Sequence, residues 1–170
     1  MWIAQCIAAI IFGVPCADPP AHVMDGIYIG SLDSVPCAPV ARIINLSGVE
    51  YETAVPVLNV ALEDAPITSG VVRRYITTLV AVSDWIGVCG GPILVHCAAG
   101  VNRSALAIGF HLLRCGYSLE CVYSALGRAN TQRRVCLLTN QSFRRLLEAT
   151  HAMAVEYRLR KNNSAEWALI

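Results

Sequence analysis

The chain has 170 residues, 55% of them hydrophobic and only 15% charged, with a formal net charge of +1. That length and apolar content fit one domain with a sizeable buried core and exclude a disordered chain. The near-zero charge argues against a general nucleic-acid or anionic-membrane binder, although the chain contains a basic stretch with Arg128, Arg133, Arg134, Arg144 and Arg145 and no acidic residue.

Residues 1–20 read as an apolar helix and linker. Trp2 to Val14 is interrupted only by Gln5, is too short to span a bilayer, and lacks the basic start of a signal peptide. Asp18-Pro19-Pro20 ends any helix there. Such a segment needs a cover, and three readings are weighed: packing on the domain's own core, a second copy in a homodimer through residues 2–12, or, last of the three, a membrane or secretory role. A membrane association is not expected. The eight cysteines include no C-x-x-C and no zinc spacing, so they read as reduced thiols of an intracellular protein. The expected compartment is the cytoplasm, the host cell's if the chain is viral.

Gly26-Ile27-Tyr28-Ile29-Gly30 predicts a short strand between turn residues. Arg42 to Leu46 predicts a second, closed by Ser47-Gly48, and Val57 to Leu62 a third. All are apolar enough for a sheet covered on both faces. Thr68 or Ser69 is placed to cap a helix whose inward stripe is Val72, Tyr75, Ile76, Leu79, Val80 and Ile86. Its Arg73-Arg74 pair reads as a solvated face.

The most informative stretch is Val95-His96-Cys97-Ala98-Ala99-Gly100-Val101-Asn102-Arg103-Ser104. Pro92 to Val95 reads as a buried strand and Ala105 to Leu113 as a helix, so the cysteine sits where strand gives way to helix. The N–H groups opening a helix have no partner inside it, and the dipole favours negative charge there. Gly100 lets the backbone curl so that successive N–H groups converge. Arg103 offers a planar fork to two oxygens of a phosphate. The same field favours the Cys97 thiolate, the reactive form of a cysteine.

Beyond it, Cys115 to Ser118 predicts a turn and cap, and Leu119 to Leu126 a helix. Arg128 to Asn140 predicts a loop and Gln141 to Leu159 a terminal helix. Residues 161–170 read as a polar, loosely held tail.

His-Cys-x5-Arg-Ser, in its strand-loop-helix setting, resembles the signature of the cysteine-based protein tyrosine phosphatases. The likeness runs from Gly26 to Glu148 and is strongest to the dual-specificity branch, with Ala-Ala-Gly-Val-Asn between Cys and Arg most similar to the poxviral members. It implies an α/β fold: a central, mostly parallel sheet of four to five strands flanked by helices on both faces, in a catalytic domain over residues 21–160. It implies hydrolysis of phosphate monoesters on phosphotyrosine and phosphoserine/threonine of proteins through a cysteinyl-phosphate. Alternatives are a phosphoinositide or RNA 5′-phosphatase of the same superfamily, or a non-catalytic phosphoprotein-binding module.

The resemblance assigns Cys97, Arg103, Asp64 and Ser104 to catalysis. It gives Ala98, Ala99, Gly100, Val101, Asn102 and Arg103 to phosphate binding, and His96 and Asn140 to support. Asp64 is the expected acid by register from the third strand, with Glu63 its rival. Asn140 stands in Thr139-Asn140-Gln141-Ser142-Phe143, where the family has Pro-Asn-x-x-Phe. No metal or other cofactor is expected, since arginine and the loop carry the charge. The expected partners are phosphoproteins, with phosphoinositide a further option and nucleic acid not expected.

Overall fold

The computed structural model describes residues 18–88 and 91–167, with side chains described to residue 158. The homodimer expected through residues 2–12 lies outside the described residues. Five strands, β1 Ala21–Met24, β2 Ile27–Gly30, β3 Arg42–Asn45, β4 Val57–Asn59 and β5 Ile93–His96, form one sheet in the order β1-β2-β5-β3-β4. Only the β1–β2 pair is antiparallel; β5 lies parallel between β2 and β3. That central place buries all four of its residues and carries its C-terminal end, where Cys97 follows, to the middle of the sheet edge.

Four helices follow: α1 Val72–Val88, α2 Arg103–Arg114, α3 Leu119–Arg133 and α4 Gln141–Trp167. Strand residues alternate between two cores, as the pleat requires. Ile27, Ile29, Ile44, Ile93 and Val95 join the larger one, with Leu79, Leu106, Ile108, Leu126, Phe143 and Leu147 from the helices. Ile43 and Leu94 face the other way, against Val35 of a 3-10 helix at Leu32–Cys37 and the side chains of Val40, Tyr51 and Val55. Helix α2 passes through the larger core, with Ser104 through Leu113 buried.

Several elements differ from the sequence reading. Strand β1 is additional. It is joined to β2 by Asp25-Gly26, both at positive φ (50° and 75°), the mirror-image turn that matches strand twist. The third strand stops at Asn59, because β4 is an edge strand whose last bond is Val60 N–H to the Asn45 carbonyl. Helix α3 runs on through the expected loop to Arg133, since Val122, Ala125, Leu126, Ala129 and Arg133 continue a buried stripe past Gly127. Helix α4 extends through Trp167, into the stretch read as a tail. Cys97, Cys115, Cys121 and Cys136 are free thiols, whereas Cys37 is disulfide-bonded, which corrects the expectation of reduced thiols at that position.

Gly109 marks the tightest helix crossing. A Cβ there would stand 2.9 Å from Leu147 Cδ1 and 3.3 Å from Val122 Cγ1. Gly109→Leu is expected to destabilise the fold by about 1–3 kcal/mol through overpacking, read as a lower urea midpoint at unchanged m-value.

Candidate active site

The loop from Cys97 to Arg103 is shaped by what takes its carbonyls. The Ala98 carbonyl accepts from Leu32 N–H at 3.1 Å and the Val101 carbonyl from Leu138 N–H at 2.8 Å. The Gly100 carbonyl accepts from Arg133 NH1 at 2.6 Å and the Ala99 carbonyl from Arg133 NH2 at 3.4 Å. Four successive carbonyls are therefore drawn outward. Because a trans peptide sets N–H opposite C=O, the N–H groups of Ala99 through Asn102 face the other way, toward the sulfur side. Gly100 adopts φ +65°, and a Cβ there would collide with the Gly30 backbone and with Arg133 NH1. Both the curl and the close approach require glycine.

Cys97 lies at the floor of this loop, 1% exposed, with its Sγ 3.5 Å from Ser104 Oγ. Burial pushes the thiol pKa up. The Ser104 hydroxyl, the N–H groups of Ser104 and Val101, and the Arg103 charge outweigh that and hold it below its ordinary value. Arg103 NH1 donates to the carbonyls of Leu46 (3.2 Å), Ser47 (3.4 Å) and Leu62 (3.2 Å). Its Nε is buried with no hydrogen-bond partner among the described residues. Such an orphaned donor beside a thiolate-favouring loop suits an oxyanion. Asn102 is the N-cap of α2, yet its side chain makes no capping bond, so the opening N–H groups of the helix are not taken by it.

Asp64 and Glu63 part company. Asp64 Oδ2 accepts from Asn102 Nδ2 at 3.1 Å and its Oδ1 from Asn140 Nδ2 at 3.2 Å. Glu63 instead pairs with Arg74 at 2.6 Å on the exposed surface. The structure thus brings Asp64 to the loop and leaves Glu63 on the flank of α1. The Arg74 partner is that surface carboxylate, in keeping with a solvated face. Asn140 bonds the loop less directly than expected. Its backbone N–H donates to Asn102 Oδ1 at 3.0 Å, while its side chain holds Asp64 and the Ala65 carbonyl (3.3 Å). Thr139 Oγ1, standing where the family has proline, also donates to Asn102 Oδ1, at 3.1 Å.

His96 is fully buried under the loop. Its Nδ1 lies 3.3 Å from the Cys97 carbonyl and its Nε2 2.6 Å from Tyr51 Oη. A ring that donates from Nδ1 and accepts at Nε2 satisfies both contacts while neutral. Burial pushes its pKa down to about 4.

Sequence reading did not find three supports: Arg133, Asp18 and Tyr51. Arg133 has a side chain only 1% exposed, and its NH2 pairs with Asp18 Oδ2 at 2.7 Å. Asp18 also accepts from the hydroxyls of Ser31 and Ser34. The only sequence signal for Arg133 was its place in the arginine-rich stretch, which did not single it out from its neighbours.

Residues 38–152 match the family described as dual specificity phosphatase, catalytic domain. Among solved structures, DUSP15 aligns at TM-score 0.64 and 19% identity over 86% of this chain and 97% of its own. A mouse putative dual specificity phosphatase aligns at 0.62 and 24% over 82% and 89%. The Orf virus phosphatase OH1 aligns at 0.57 and 18% over 86% and 94%. No curated relative matches the chain in sequence. The chain belongs to the dual-specificity phosphatase family, cysteine-based enzymes that dephosphorylate tyrosine and serine/threonine in proteins. At 18% identity, the poxviral likeness extends to the fold alone. Among the described residues no helix is long and apolar enough to cross a membrane.

Two outcomes test the supports. Arg133→Met strands the Asp18 carboxylate and two loop carbonyls, and is expected to cost about 3–5 kcal/mol, read by urea denaturation. The second concerns His96. Its folded pKa lies below the ordinary 6.5, so the unfolded chain binds the extra proton between 6.5 and about 4. Stability from this group is complete above pH 6.5 and is lost as pH falls toward 4, at up to about 1.4 kcal/mol per unit. The gap between wild type and His96→Gln should close over that window.

Proposed function

We propose that Cys97, as thiolate, attacks phosphorus in line, so that the sulfur–phosphorus bond forms as the phosphorus–oxygen bond to the protein side chain breaks. Asp64 gives its proton to the departing oxygen. As carboxylate it then takes a proton from the water that attacks the cysteinyl-phosphate, releasing inorganic phosphate and the thiolate. The Ser104 hydroxyl donates to the sulfur as it leaves. Arg103 and the N–H groups from Ala98 to Arg103 hold the equatorial oxygens, where charge spreads in the transition state. His96 and Asn140 are positioning residues.

The observation that carries this reading is the set of outward-drawn loop carbonyls around a thiol whose ionisation is favoured. It makes an N–H lined cup with a nucleophile at its base. The two amide bonds to Asp64 support its choice as the acid, since they hold a carboxyl group over that cup.

The test is turnover of aryl phosphate and phosphopeptides. Cys97→Ser is expected to abolish turnover while phosphopeptide binding survives. Asp64→Ala is expected to lower kcat by about 10²–10⁴-fold, most for poor leaving groups such as phosphoserine. Glu63→Ala should leave kcat near wild type; a loss there in place of Asp64 would move the acid by one residue.

A further inference from the structure

The sheet edge that carries Cys97 also carries a recess beside the phosphate loop. His96, Asn45 and Asn59 stand in one row across β5, β3 and β4. Neighbouring strands lie about 4.8 Å apart, so the end of β4 is about 10 Å from the strand end that Cys97 follows. A recess of about 230 Å³ opens there, between the turn after β3 and the segment after β4. Gly48 and Ala61 face each other across it: a Cβ built on Gly48, at φ +78°, would stand 3.7 Å from the Ala61 Cβ.

The floor of the recess holds its walls in place. Asn45 is 2% exposed, and its Nδ2 donates to the Val49 carbonyl at 2.7 Å and to Asn59 Oδ1 at 2.8 Å. Its Oδ1 accepts from the Ser47 N–H at 2.9 Å and the Ser47 hydroxyl at 2.6 Å. One buried amide thus ties both walls together. The turn is also fastened to the candidate site at each end. The Ser47 carbonyl accepts from Arg103 NH1 at 3.4 Å, and Tyr51 Oη lies 2.6 Å from His96 Nε2. Glu50 stands between these fastenings and lines the recess.

The charge there is one-sided. Ion pairs among the described residues take Glu63, Asp84 and Asp18, and none takes Glu50. No basic side chain lines the recess, whose other polar side chains are the amides of Asn45 and Asn59. A carboxylate without a counter-charge, on a preformed wall, attracts a cation and repels a second phosphate or an acidic side chain.

We propose that this recess is a specificity subsite for a Lys or Arg side chain of the substrate protein, one or two residues from the phosphorylated residue. The proposal rests on the phosphatase reading above and names the substrates that it favours. An extended chain advances about 3.5 Å per residue, so a basic side chain that close in sequence spans the distance from the cup to Glu50. Its cationic head meets the carboxylate, and its apolar stem lies along Val60 and Ala61.

The test uses phosphotyrosine peptides of otherwise uncharged sequence, with a single Arg or a single Gln at each of the two positions on either side of the phosphotyrosine. For at least one position, kcat/KM at low salt should favour Arg over Gln by about fivefold, the upper range of an exposed ion pair, and the ratio should fall toward one in 0.5 M NaCl. Glu50→Gln should abolish the preference, and Glu50→Lys should turn it toward a Glu at that position. Glu52→Gln removes the same charge from the same turn outside the lining, and should keep the preference. The proposal is overturned if no position prefers Arg, if Glu50→Gln keeps the full preference, or if Glu52→Gln loses as much. The same peptides are titrated by fluorescence anisotropy into Cys97→Ser and into Cys97→Ser combined with Glu50→Gln. If the wild type turns over none of them, the proposed chemistry falls, and the presence or loss of the Arg-over-Gln ratio in binding still decides the subsite.

Discussion

The structure depends on one constraint: the carbonyls of Ala98, Ala99, Gly100 and Val101 are all held outward. A loop of this length left to itself would have no reason to aim its N–H groups at one point. The anchors come from separate parts of the fold: the start of the 3-10 helix, the end of α3, and the segment before α4. Each takes a carbonyl and so turns the next N–H inward. The anion cup is thus a product of tertiary packing, and the seven-residue signature supplies only the chain that is to be bent.

Arg133 explains why a charge is worth burying behind that loop. A buried ion pair is costly to desolvate and often adds little to stability. Arg133 does more than pair with Asp18, because its planar fork reaches two successive loop carbonyls while its other face meets the carboxylate. A hydrophobic side chain of the same volume would leave those carbonyls unsatisfied. Asp18 in turn is held below the ordinary carboxylate range: burial raises its pKa, but its bonds to Arg133, Ser31 and Ser34 and the Arg133 charge prevail. The pair therefore stays ionised and keeps the brace rigid, with a second guanidinium behind the loop whose front carries Arg103.

How much of this was legible in the sequence depends on the range of the interactions. The nucleophile, the cradle and their strand-loop-helix setting are local, and the residues from Val95 to Ser104 declare them. Strands β2 and β3 and helices α1 and α2 follow from apolar periodicity. Strand β1 was missed because four residues carry little pattern, although Asp25-Gly26 is a hairpin turn signal. The end of α3 was missed because Gly127, Asn130 and Thr131 read as loop formers, whereas packing of Ala129 and Arg133 against the core overrides local preference. Arg133, Asp18 and Tyr51 act across 33 or more residues of chain, and no spacing rule marks such partners. Nothing in the sequence separates Arg133, nearly all of it buried, from the exposed Arg134 next to it.

The Asp64 side of the site obeys the same logic as the Cys97 side. Asn102 belongs to the phosphate loop, and Asn140 follows the segment that backs it. Both donate to Asp64, while Asn102 Oδ1 receives the Asn140 N–H. Arg103 meanwhile holds the Leu62 carbonyl, two residues before Asp64. A displacement of the loop would therefore carry the carboxylate with it, so that sulfur and carboxylate keep their relation as one frame. Glu63 stands outside that frame: its backbone carbonyl is bonded by the Tyr75 hydroxyl and its side chain by Arg74, both on α1. Neighbouring carboxylates that composition could not tell apart are separated by which helix each is fastened to.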